Sequence, residues 1–191
     1  MKLGTLLLRN AAISLTQLEA ALRAQVLYGG RLGTNLVELG FVDLDALAEY
    51  LGELTQLPVA TRAVLEAARP EALALIDAAM AERLGAMPLH VMPPPDAGLG
   101  VAMIEPFDLG AVEELAQKAG MPIRPYVVPE LRLLYYLERA YGLPRKARFV
   151  RAGSPPGAGS ARPGTRRGRR DRRSRARPGW CPAARRRGSA P

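Results

Sequence analysis

Lys2-Leu3-Gly4-Thr5-Leu6-Leu7 and, 29 residues further on, Arg31-Leu32-Gly33-Thr34-Asn35-Leu36 open two copies of one pattern. At that offset Leu15 also meets Leu44, Leu18 meets Leu47 and Leu22 meets Leu51, so seven of 24 aligned positions are identical. Lys2/Arg31, Leu8/Val37, Ile13/Val42 and Ser14/Asp43 are similar in kind. A self-similar period of this length marks a duplicated supersecondary unit. Each copy reads as a short helix, a turn and a longer helix. Ser14 with Gln17 forms a capping-box pattern ahead of Leu15, Leu18 and Leu22 at helical spacing. Gly29-Gly30 closes that helix. In the second copy Gly40 suits a left-handed closing residue, Asp43 caps the next helix, and Leu44, Leu47, Leu51 and Leu54 form its apolar stripe. Pro58 ends the segment.

Beyond Pro58 the pattern changes. A connector leads to an amphipathic stretch from Pro70 to Arg83, with proline suited to a first helical turn. Ala86–Met92 and Gly98–Ile104 read as antiparallel strands joined through Pro93-Pro94-Pro95-Asp96-Ala97. Asp108 caps a helix ending at Gly120, Met121–Val128 reads as a third strand, and Pro129 opens a helix that stops at Gly142. Pro122 and Pro125 suit an edge strand. The expected class is α+β: a helical tandem-repeat subdomain of about four helices at 1–57 (motif copies 2–25 and 31–54), then a small subdomain at 58–143 with helices on a three-stranded sheet.

Charge separates the rest. The chain of 191 residues has a formal net charge of +9, yet residues 1–144 carry 11 basic and 17 acidic side chains while 145–191 carry 16 basic ones against Asp171. The segment 144–191, rich in Arg, Pro and Gly, cannot bury enough apolar surface to offset its ordering entropy and reads as disordered. Its clusters, such as Arg166-Arg167 and Arg185-Arg186-Arg187, suit salt-dependent attachment to nucleic acid or anionic lipid. A solvated extension, or a stretch read past the end of the homologous region, accounts for it equally. Only the tail points to such partners.

Composition excludes several chemistries. Cys181 and His90 are the sole residues of their types, which leaves no disulfide, thiolate-rich zinc site or Cys-His dyad. His90 lies in an apolar strand and reads as structural. Glu113-Glu114 and the Asp43/Asp45 pair fall on helix faces and caps with no nucleophile beside them. No apolar run approaches the ~18 residues of a membrane span, and Leu6-Leu7-Leu8 is too short for a signal peptide. The expected setting is cytoplasmic.

The doubled pattern of basic residue-Leu-Gly, Leu, Gly and two Leu four residues apart, with the five-residue spacer Val26–Gly30, resembles the N-terminal domain of type II secretion and type IV pilus assembly ATPases (the secretion ATPase E and MshE-type N-terminal domains). The likeness continues through Val101-Ala102-Met103, Glu105-Pro106 and Asp108 to Tyr141-Gly142. In that family the doubled motif in its full form is a cyclic di-GMP receptor, each copy holding one half of the two-fold symmetric ligand. The resemblance therefore implies Lys2, Leu3, Gly4, Leu7, Leu18, Leu22 and Gln25 as ligand residues of the first copy. It implies Arg31, Leu32, Gly33, Leu36, Gly40, Leu47 and Leu51 in the second. Three positions depart from the pattern: Lys2 lacks the planar fork of arginine, Ala11 opposes a positive φ where the other copy has Gly40, and Leu54 lacks the amide of Gln25. The same leucines also suit a helical core, whatever the ligand.

A family ATPase needs a Gly-x-x-x-x-Gly-Lys-Ser/Thr loop, and no such string occurs in this sequence. The expectation is a non-enzymatic regulatory and docking module that requires no cofactor, with cyclic di-GMP as a ligand and a secretion or pilus assembly protein at the inner membrane as partner. The alternative is a pure protein–protein module without nucleotide binding.

Overall fold

Ser14 and Gln17 close the capping box expected of them: the Gln17 amide donates to Ser14 Oγ at 3.2 Å and the Ser14 amide to Gln17 Oε1 at 2.8 Å. This and the other features below come from a computed structural model that describes residues 1–145. The repeat forms α1 (Leu3–Arg9), α2 (Leu15–Tyr28), α3 (Leu32–Glu38) and α4 (Leu44–Thr55). Asp43 Oδ1 caps α4 by accepting from the amides of Asp45 and Ala46. Ile13 and Val42 are buried after the two short helices, at equivalent positions. To reach them the chain turns sharply. Ala12 donates to the Leu7 carbonyl and Phe41 to that of Leu36, each at 2.9 Å, the six-to-one bond of a left-handed helix end. Gly40 accordingly has φ 72°. Ala11 takes φ 51° in the same role, so the expectation that its β-carbon forbids a positive φ is corrected: the paired backbone bonds and the burial of Ile13 outweigh the steric cost.

The copies interleave rather than stack as separate units. Each short helix packs on the other copy's long one, α1 on α4 and α3 on α2. Leu7, Ile13, Ala21, Leu36, Val42 and Leu47 form their shared apolar core.

The connector contains α5 (Arg62–Glu66), capped by Thr61 and not expected from the sequence. The stretch Pro70–Arg83 is two helices, α6 (Pro70–Leu73) and α7 (Ala78–Leu84). The break falls where Ile76 turns into the core and Asp77 caps the new helix by accepting from the Met80 amide at 2.9 Å. β1 (Ala86–Met92) runs antiparallel to β2 (Gly98–Met103), from Ala86 opposite Met103 to Met92 opposite Gly98. Asp108 then caps α8 (Leu109–Ala119), which crosses over to β3 (Ile123–Val127), parallel to β2. β2 is thus central and wholly buried, while β3, with Pro125, lies outside it. At its end β3 also pairs with the connector, Val127 donating to the Pro58 carbonyl and Ala60 to that of Val127, both at 2.9 Å.

α9 (Glu130–Tyr141) covers the second core with Leu133, Tyr136 and Leu137. Each such side chain contributes roughly 1.5–3 kcal/mol on burial. The Tyr136 hydroxyl donates to Glu66 at 3.0 Å, and the Tyr141 hydroxyl to the Leu73 carbonyl at 2.9 Å. Burial pushes both phenols up to about 12; the Glu66 carboxylate adds to the rise at Tyr136. α9 also meets the repeat, through Arg132 with Asp45 and Glu130 with Thr34. Arg145 bonds Glu138 at 2.7 Å. The remainder of the expected disordered tail, 146–191, lies outside the described residues.

Candidate functional site

A cavity of about 340 Å³ opens between the repeat and the start of α9, within the ~300–1,000 Å³ typical of small-molecule sites. One side belongs to the second copy, with Arg31, Leu32, Gly33 and Thr34 from α3 and its cap, and Leu47 and Leu51 from α4. The first copy adds Leu3 and Gln25. The opposite wall is Ile104, Val128, Pro129, Glu130 and Leu131.

The glycines explain the shape of the motif side. A β-carbon at Gly33 would stand 3.1 Å from both methyls of Leu47 and 3.5 Å from Leu3 Cδ2. At Gly4 it would stand 3.0 Å from Leu18 Cδ1 and 3.4 Å from Leu32 Cδ2. These contacts map onto one another under the 29-residue shift, so the copies are related by an approximate two-fold. The α+β part covers one half of this arrangement. The cavity forms on that half.

Polar groups are few and oriented. Arg31 pairs with Glu105 across the cavity mouth, both side chains about half exposed. Gln25 Nε2 donates to the Gly30 carbonyl at 2.9 Å, and Asn35 Nδ2 to the carbonyls of Gly29 at 3.1 Å and Arg31 at 2.8 Å. These bonds fix the spacer that sets Arg31 at the start of α3. Thr34, 3% exposed, donates its hydroxyl to Glu130.

Of the residues implied by the resemblance, Leu3, Gln25, Arg31, Leu32, Gly33, Leu47 and Leu51 line this cavity. The other seven lie elsewhere. Leu7 and Leu36 are fully buried in the helical core, and Gly40 occupies the turn after α3. Leu18 packs on Gly4 in the first copy's half, Leu22 is 44% exposed on α2, and Lys2 is exposed at the cap of α1. Thr34, Ile104, Glu105 and the segment Val128–Leu131 belong to the site but are not among the ligand residues that the resemblance implied. Thr34 had a signal, its identity with Thr5 across the repeat; Glu130 had none. His90 makes an edge-to-face contact with Tyr126 at 5.9 Å. Among the described residues no three His, Cys, Asp or Glu side chains are placed to hold a metal ion, and no helix is long and apolar enough to cross a membrane.

Comparison with known proteins places this arrangement. The MshEN domain model matches residues 55–147. The type IV pilus assembly ATPase PilB of Myxococcus xanthus is 30% identical over 140 residues, 73% of this chain and 24% of that protein. PilB of Thermus thermophilus is 29% identical over 147 residues, 75% of this chain and 16% of that protein. The chain therefore spans a quarter or less of these relatives. Among solved structures, MshE with cyclic di-GMP is 32% identical with a TM-score of 0.57, over 74% of this chain and 99% of that one. The N-terminal domain of XpsE, 24% identical with a TM-score of 0.52 over 73% and 94%, shares the fold. The repeat, the α+β layer behind it and these likenesses agree: the chain belongs to the family of MshE-type N-terminal domains of type II secretion and type IV pilus assembly ATPases.

Proposed function

We propose that the protein is a non-catalytic regulatory and docking module of a secretion or pilus assembly machine, and that its cavity takes cyclic di-GMP. The observation that carries this reading is the convergence of seven motif residues, Leu3, Gln25, Arg31, Leu32, Gly33, Leu47 and Leu51, on one cavity. Leucine side chains offer a base an apolar floor, and a guanidinium can stack on a purine or bond its Hoogsteen edge. Glu105 holds Arg31 at the mouth while leaving it half exposed, where it can meet a phosphodiester. The 32% identity to MshE, solved with this ligand, supports the same choice. Calorimetry on the full chain tests it. Saturable one-to-one binding that Arg31→Ala removes is expected, and no heat at high micromolar cyclic di-GMP overturns the reading.

The expected work is on the cytoplasmic side of the inner membrane, through a partner in the assembly machine. ATP turnover by the purified protein would overturn its non-catalytic character. A second reading, docking without nucleotide, is favoured by one asymmetry. On α4 Leu44, Leu51 and Thr55 are each partly covered, and Val59 lies so close to Gly52 that a β-carbon there would come 2.5 Å from its Cγ2. The equivalent stripe on α2 is open, with Leu15 62%, Leu22 44% and Val26 85% exposed. Capture of an assembly component equally well with and without cyclic di-GMP, lost in Leu22→Glu/Val26→Glu, would select this reading.

A further inference from the structure

One polar group in the cavity wall does not come from the repeated motif. Glu130 is the first residue of α9, and it reaches the cavity from the side opposite the motif. Its Oε2 accepts the hydroxyl of Thr34, which is locked on the buried face of α3. Among the described residues no donor meets Oε1. An ionised carboxylate only accepts hydrogen bonds, and the surrounding wall, with Leu32, Leu51, Ile104, Val128 and Leu131, is apolar. The cations nearby are paired, Arg31 with Glu105, Arg132 with Asp45, and Arg145, which lines a second cavity together with Glu130, with Glu138. The wall therefore favours a ligand edge made of N–H donors and disfavours one that presents a lone pair.

The pairing edges of the purines differ in that respect. Guanine shows its ring N1–H beside an exocyclic amino group, whereas adenine shows a bare ring nitrogen beside one amino group. We infer that Glu130, oriented by Thr34, is the specificity-determining residue of the cavity: it receives the donor edge of a guanine base and rejects adenine. The inference rests on the reading that the cavity takes a cyclic dinucleotide.

Calorimetric titration of the full chain with cyclic di-GMP and with cyclic di-AMP tests it in the wild type, Glu130→Gln and Glu130→Asp. The wild type is expected to prefer the guanine ligand by about tenfold or more, the scale of one charged hydrogen bond. Glu130→Gln is expected to lose a similar factor in cyclic di-GMP affinity and to bring the two ligands close to parity. Thermal melts run alongside, and Glu130→Asp, which keeps the charge but withdraws it by one methylene, serves if the glutamine variant does not fold. Wild-type binding whose preference survives in the folded variants overturns the role of Glu130 and leaves the ligand reading standing. Failure of the wild type to bind either dinucleotide overturns both.

Discussion

Leu3 of the first repeat reaches Gly33 of the second, its Cδ2 lying 3.5 Å from where a β-carbon on that glycine would be; Leu32 and Gly4 make the reciprocal contact at 3.4 Å. Each copy thus completes the other's glycine site, and the four helices share one apolar core. Gly33→Val should force Leu47 and Leu3 apart at a cost of about 1–3 kcal/mol, the usual penalty of overpacking. Urea denaturation checks it; an unchanged midpoint would show that the leucines yield freely.

The leucines of the motif should divide by burial. Leu36→Ala empties a fully buried site and should cost about 2–5 kcal/mol. Leu22→Ala, at 44% exposure, should stay within about 0.5 kcal/mol. The same melts decide this, and equal losses would contradict the assignment of Leu36 to the core.

Equivalent turns should respond in opposite directions. Ala11→Gly relieves a β-carbon held at φ 51°, and should be neutral to stabilising by up to about 1 kcal/mol once the larger chain entropy of glycine is counted. Gly40→Ala imposes that strain at φ 72° and should cost about 1 kcal/mol.

Alkaline stability should follow Tyr136 and Tyr141. Both phenols titrate at about 12 in the fold against 10.0 ordinarily. The unfolded chain loses these protons first, so their contribution is present below pH 10 and lost as pH rises towards 12. Urea midpoints measured across that window should fall, and Tyr136→Phe should flatten part of the slope.

How far the fold could be read from the sequence depended on the range of each signal. Ser14 with Gln17, Asp43, Asp108 and the Pro129–Gly142 helix are set by neighbours within a few residues, and they stand where the pattern puts them. The stretch Pro70–Arg83 reads as one amphipathic segment because nothing local shows that Ile76 turns inward and that Asp77 starts a new helix. Arg62–Glu66 is too short for a period to show. At Ala11 a sound local rule lost to tertiary demand. The motif half of the cavity was legible in the repeat, but helical spacing alone does not separate Leu36 in the core from Leu51 on the cavity. The far wall was not legible, since Thr34 and Glu130 meet across 96 residues.

The central claim is that the repeated motif and the α9 wall enclose a cyclic di-GMP site. Calorimetric titration of the full chain with that ligand tests it most directly. Saturable one-to-one binding, abolished in Arg31→Ala while the thermal melt of that variant is unchanged, is the predicted result. No heat at high micromolar ligand, or binding that Arg31→Ala leaves intact, would contradict it.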